Sequence, residues 1–214
     1  MWDFIVERRE QIAYNTFQHF NLVVQAVLVA TVIAVALAVL IVRAPALQGV
    51  ANALSAIGLT VPAFALVGLL LPVFSIGTFT AFVAVAFYAV LPILRNAVVG
   101  LQGVDATLVE SARGMGMSAF AVLWRVRLPL AWPVILAGVR ISMQMSMGIA
   151  AIAAYVLGPG LGGYIFKGLA QIGGANALNY AVVGTVGVVV VALLADALLL
   201  LLGRLTVSKG IRVA

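Results

Sequence analysis

The residues with the most capacity for chemistry fall in one polar stretch, Glu110-Ser-Ala-Arg-Gly-Met-Gly116, followed nine residues later by Val126-Arg-Leu-Pro129. Glu110, Arg113, Arg125 and Arg127 sit there, in a chain of 214 residues with only 12 basic and 6 acidic side chains. A charged segment between long apolar runs is suited to contacting another molecule in water. It is poorly suited to turnover, because the other groups that catalysis needs are dispersed. His19 is the only histidine, there is no cysteine, and Asp3, Glu7, Glu10, Asp105, Glu110 and Asp196 do not cluster. Disulfides and thiolate metal sites are excluded, and a histidine-based triad or metal cluster within one chain has too few members. The Gly-x4-Gly-Lys-Ser/Thr pattern that cradles nucleotide phosphates is absent. The sequence therefore predicts no catalytic residues, no metal and no nucleotide site of its own.

The polar loop, about 103–129, has signals for a defined shape. Asp105 or Thr107 can cap a short helix running through Glu110. Gly114 and Gly116 can break it and permit a sharp turn. Ser118 can cap a second short helix over about 119–127, and Pro129 and Pro133 then mark re-entry into apolar sequence. Two short helices at an angle form a rigid protrusion, which can transmit a push where a floppy loop cannot.

Those elements must be carried by a membrane body. The chain is 65% hydrophobic and 8% charged, whereas soluble domains are roughly 25% charged. It has too little polar surface to coat a soluble core. The net charge of +6 reads as topology, since Lys and Arg gather on the cytoplasmic side, and not as nucleic-acid binding. Five candidate spans have the required length: 20–42, 50–71 with Pro62, 76–94 with Pro92, 134–157 and 180–202. Both internal prolines are expected to kink their spans. Ala44-Pro45-Ala46 has the form of a signal cleavage site. The apolar run before it exceeds the about 7–15 residues of a signal core, so it is read as a retained span.

Outside the spans, residues 1–19 alternate Trp2, Phe4, Ile5, Ile12, Tyr14 and Phe17 with Asp3, Glu7, Arg8, Arg9 and Glu10, which suggests a helix along the interface. The membrane body is 20–205, with an outer loop at 158–179, and 206–214 is a tail. Gly158-Pro-Gly-Leu-Gly-Gly163 breaks helices, leaving a short apolar piece over about 164–170 as a surface or re-entrant helix. With the polar loop inside, eight basic residues (Arg43, Arg95, Arg113, Arg125, Arg127, Arg204, Lys209, Arg212) face inward and three (Arg8, Arg9, Lys167) face outward. That asymmetry puts the N-terminus outside and the C-terminus in the cytoplasm.

Polar groups within spans are costly and therefore candidates for function. Arg140 lies about 11 residues beyond Pro129, roughly 16 Å along a helix, and Asp196 about 10 Å from the inner end of the last span. Their depths suit an ion pair, the alternative being that each snorkels to the interface alone. Phe64, Tyr88, Met143, Gln144 and Met147 are candidates to line a passage, through cation–π contact or adaptable thioethers; ordinary helix packing is the competing reading.

The spacing Glu110-x-Ala112-x3-Gly116-x9-Val126-x-Leu128-Pro129 resembles the coupling loop of permease subunits of ATP-binding-cassette importers. Ser111 stands where that pattern has alanine, and Val126 where it has isoleucine. Thr60-Val-Pro-Ala-Phe-Ala-Leu66, Tyr88-Ala-Val-Leu-Pro-Ile-Leu-Arg-Asn96, the run from Glu110 through Met117-Ser118, Leu128-Pro-Leu-Ala-Trp-Pro-Val-Ile-Leu-Ala-Gly-Val-Arg140 and Gly158–Gly163 are similar to osmoprotectant permeases of the quaternary-amine uptake group. The resemblance implies an all-α polytopic membrane protein with the type I importer permease fold: five spans, an N-terminal interfacial helix and a cytoplasmic coupling helix. It implies Glu110, Ser111, Ala112, Arg113, Gly114, Gly116, Met117, Ser118, Leu128 and Pro129 as the ATPase-coupling loop. It further implies a second permease subunit, a cytoplasmic ATPase dimer that holds the ATP and magnesium, and an extracytoplasmic solute-binding protein. Glycine betaine, carnitine or choline are the implied solutes. A methionine-type importer permease and a stand-alone channel or secondary transporter are the alternatives.

The topology is testable because the protein has no cysteine of its own. In intact cells an impermeant thiol reagent is expected to label Asp3→Cys and to leave Lys209→Cys unlabelled. Equal labelling of the two would overturn the orientation.

Overall fold

The structure is a computed structural model describing residues 1–44 and 46–207. Pro45, Lys209, Arg212 and the tail beyond residue 207 lie outside the described residues. Regular structure among the described residues is entirely helical. Among the described residues four helices are long and apolar enough to span a bilayer, and a bent pair supplies a fifth crossing if counted as one broken span.

The first helices are α1 (Trp2–Glu7) and α2 (Arg9–Arg43). The expected interfacial helix over 1–19 is shorter than the sequence suggested. No proline or glycine interrupts residues 9–43, so the backbone continues through residue 20 as one helix of 35 residues, and only α1 is separate. At about 1.5 Å per residue α2 is far longer than the ~30 Å hydrocarbon layer and projects beyond it. Phe4 anchors α1, meeting the Tyr180 ring edge-on at 4.8 Å beneath the Arg8 guanidinium.

Pro62 is a boundary, not a kink. Helix α3 (Leu47–Thr60) ends at Val61 in extended conformation, and α4 (Ala63–Phe74) leaves at 98°. Proline disfavours helical geometry in the residue before it, which accounts for Val61. The Tyr88 hydroxyl donates to the Val61 carbonyl, the group that the break leaves without a helical partner. Pro92, by contrast, sits inside α5 (Thr78–Gln102), which runs eight residues past the expected end of its span at residue 94. The buried Ser142 hydroxyl donates to the Ala89 carbonyl at 2.8 Å, one turn before that proline.

After the polar loop comes α8 (Leu128–Ala153), and then a glycine-rich run leads to α9 (Gly162–Ala170) and α10 (Ala177–Thr206). The core lies between α2, α5 and α8. Ala26, Ala30, Ala34 and Ala38 repeat every four residues on α2 and are fully buried. Without hydrophobic drive between helices in lipid, such small residues let backbones approach and pack. On α8, a Cβ at Gly138 would lie 2.6 Å from the Cβ of Asn96 on α5.

The glycine run is shaped by the same crowding. A Cβ at Gly162 would lie 2.1 Å from the Ala151 carbonyl oxygen, while one at Gly163 would meet nothing within 4 Å. Gly162→Ala is therefore expected to lower stability in detergent by about 1–3 kcal/mol, the usual range for overpacking. Gly163→Ala should leave the thermal midpoint unchanged, and equal midpoints for the two variants would refute the assigned contact.

Candidate functional site

The polar loop folds around its own small core. Helix α6 (Ala106–Gly114) is capped by Asp105, whose carboxylate accepts from the Thr107 amide at 2.8 Å. At its other end the Gly116 amide donates to the Arg113 carbonyl (2.9 Å) and the Met117 amide to the Ala112 carbonyl (3.1 Å). Gly116 holds φ +84°. This is the Schellman helix stop, in which the left-handed position favours glycine. Met117 then packs on Val109, Ala112 and Val122, with Val104 and Val126 at the edge. The elbow is thus locked by backbone bonds and apolar contacts together.

Ser118 caps α7 (Ala119–Val122) by accepting from the Ala121 amide at 3.2 Å. The second short helix does not end at Pro129. Residues Leu123–Arg127 form a π-turn, with the Leu128 amide bonded to the Leu123 carbonyl, and the chain passes directly into α8. A proline in a regular α-helix would clash with the carbonyl four residues back and lack a donor; a π-turn relieves that clash. Residues 119–156 therefore form one helical element of 38 residues. The loop is the end of a span, not a separate module beside it.

Glu110, Ser111, Arg113 and Gly114 are exposed, whereas Ala112 is buried beneath them. Leu108, Met115, Phe120 and Trp124 are also exposed, with Met115 at 73%. Exposed large apolar side chains on the same loop as Glu110, which has no ion-pair partner among the described residues, make a knob suited to a protein partner.

Deeper in the bundle, Arg140 on α8 meets Asp196 on α10 in a bidentate pair, Nε to Oδ1 at 2.9 Å and Nη2 to Oδ2 at 3.0 Å. Such a fork is short and directional, and it removes two lone charges from the lipid. Nearer the loop end, the Trp132 indole N–H donates to Thr206 Oγ1 at 2.8 Å, tying the same two helices a second time.

The candidate passage residues do not converge. Met143 and Met147 fall on the inward stripe of α8 and are buried in the core. Tyr88 is buried as well, its hydroxyl bound to Val61. Gln144 is exposed on the opposite stripe, and Phe64 is exposed on α4 against the Tyr155 ring at 4.8 Å. One helical register separates Met143 from Gln144, which sequence alone cannot orient. Sequence reasoning missed a cleft of about 590 Å³ lined by Leu59, Pro92, Arg95, Asn96, Val99, Ile141 and Met145. Pro92, Arg95, Asn96 and Val99 share one helix face, a periodicity visible once α5 is known to continue past residue 94.

Breaking the Arg140–Asp196 pair should cost about 3 kcal/mol for either Arg140→Gln or Asp196→Asn, the low end for a buried pair because both side chains keep some surface. The double variant should recover at least about 1 kcal/mol relative to the sum. Strictly additive losses in a denaturation cycle in detergent would show that the two groups are not coupled.

Comparison with known proteins places this geometry in a family. Residues 27–207 match the family model for the inner membrane component of binding-protein-dependent transport systems. The chain is 34% identical to the glycine betaine/carnitine/choline transport system permease protein OpuCB of Bacillus subtilis, over 99% of this chain and 96% of that one. It is 36% identical to the osmoprotectant import permease protein OsmW of Salmonella typhimurium, over 98% of each. Among solved structures, an inward-facing form of the MetNI methionine ABC transporter superposes with a TM-score of 0.73 at 22% identity, over 94% of this chain and 96% of that chain. That likeness concerns the fold, which is the type I ABC importer permease fold. The chain belongs to the family of inner membrane components of binding-protein-dependent transport systems.

Proposed function

We propose that this chain is the permease subunit of an ATP-driven importer for osmoprotectants of the quaternary-amine class, such as glycine betaine, carnitine or choline. The relatives that support this are named as permeases for those solutes and are 34–36% identical over most of the chain. The methionine alternative draws only on structural likeness at 22% identity, which speaks to fold and not to substrate. In this reading ATP and magnesium bind a partner ATPase dimer, and this chain holds no cofactor. A second permease subunit completes the path, and an external binding protein delivers the solute. The N-terminus is outside and the loop end cytoplasmic.

The observation that carries the mechanism is the continuity of α7, the π-turn and α8. When the ATPase pair closes on ATP, displacement of the knob around Glu110 and Met115 moves the whole 38-residue element. The locked elbow at Gly116 keeps α6 fixed to that element, so the displacement reaches the spans instead of dissipating in the loop. The spans then open outward to accept solute, and hydrolysis resets them. This chain supplies a lever and a path, while the energy comes from its partner.

The elbow and the contact charge can be tested separately. A Cβ at Gly116 would meet no atom within 4 Å, so within this chain the positive φ is the main obstacle to substitution. Gly116→Val should therefore impair labelled glycine betaine uptake far more than Gly116→Asn, since asparagine tolerates that conformation. Glu110→Lys should insert normally yet lose ATPase association or stimulated hydrolysis. Wild-type uptake and hydrolysis in both Gly116→Val and Glu110→Lys would sink the coupling role.

A further inference from the structure

At the base of the loop three arginines converge without any acidic partner among the described residues. Arg43 ends α2, Arg113 lies on α6, Arg127 closes the π-turn, and all three line one cavity of about 270 Å³. The ion pairs among the described residues are Arg8–Glu7 and Arg140–Asp196, so none of the three is neutralised within the described chain. Like charges gathered on one cavity repel unless an anion lies between them. The remaining walls are apolar: Val39 and Val42 from α2 and Leu101 from α5 near the ends of spanning helices, and Ala119, Val122 and Leu123 from α7 and the π-turn.

We propose that this cavity binds the phosphate headgroup of an anionic membrane lipid, with its acyl chains leaving along Val39 and Val42. The cationic rim and apolar walls fit an amphiphile better than a free anion, and basic pockets between span ends are suited to such headgroups. A bound lipid would bridge the end of the first span, the coupling helix and the π-turn. It would thereby brace the base of the lever against the membrane body. An acidic segment of a partner ATPase is the competing occupant. Val39, Val42 and Leu101 carry one wall of the cavity into the ends of the spanning helices, where lipid has access and a soluble partner does not, which favours lipid. The inference uses the family's membrane location but not the identity of the solute.

The full-length chain, purified in detergent, can be titrated with dioleoyl-phosphatidylglycerol or dioleoyl-phosphatidylcholine and read by native mass spectrometry. Phosphatidylglycerol should bind preferentially. Its affinity should fall about fivefold for each arginine replaced by glutamine, equivalent to ~1 kcal/mol for each basic residue near an anionic surface. Arg113→Gln tests this singly on an exposed helix, and the triple Arg→Lys variant should retain binding. Arg125→Gln removes the same charge from the same turn but outside the cavity, and should change nothing. Equal binding of the two lipids, an equal loss in Arg125→Gln, or equally potent displacement by inorganic phosphate would each overturn the lipid site. So would unchanged lipid binding in Arg113→Gln accompanied by lost ATPase capture, which would assign the arginines to the partner. Because the assay reads binding to the chain alone, it can fail while the transport reading stands, and the reverse.

Discussion

The structure depends on how closely the backbones of α2, α5 and α8 approach one another. Lipid offers apolar side chains no advantage in leaving it, so helices hold together through close packing and directional polar contacts. The alanine stripe at 26, 30, 34 and 38, and Gly138 against Asn96, supply the first. Ser142 to Ala89, Trp132 to Thr206 and the Arg140–Asp196 fork supply the second. Loosening that approach would leave α8 free to move without carrying its neighbours.

That packing gives the loop its meaning. A helix that emerges from a tight bundle and continues through a π-turn to the surface behaves as a rod. The capped and locked elbow then fixes α6 to the rod's end, with Val109, Ala112 and Val122 as the joint. The opposite end of the rod meets the glycine run, where Gly162 lies against the Ala151 carbonyl. Displacement at one face of the membrane is thereby mechanically connected to the segment that borders the other. The broken span at Val61–Pro62 is tied into the same body through Tyr88.

Much of this was legible in the chain itself. Composition and run length determined a polytopic helical membrane protein, because the bilayer admits few structures and apolar length is countable. The Asp105 and Ser118 caps and the turn at Gly116 were readable because capping and positive φ are local matters, settled within a few residues. The polar loop stood out because charge is rare elsewhere. The depths of Arg140 and Asp196 were readable along the helix axis, though not their rotation about it.

Tertiary structure decided what local rules leave open. Whether a proline kinks, ends or merely inhabits a helix depends on who satisfies the freed carbonyl: Tyr88 reaches Val61 beside Pro62, the π-turn accommodates Pro129, and Pro92 stays within α5. In a helix that is apolar on nearly every side, periodicity does not reveal which face is inward. Met143 therefore turned out to be core and Gln144 surface. Arg43 is distant in sequence from Arg113 and Arg127, and only the packing of α2, α6 and the π-turn brings the three to one cavity. Sequence determined which residues occupy each helix and where local turns fall; the side each helix shows to its neighbours arises from non-local packing.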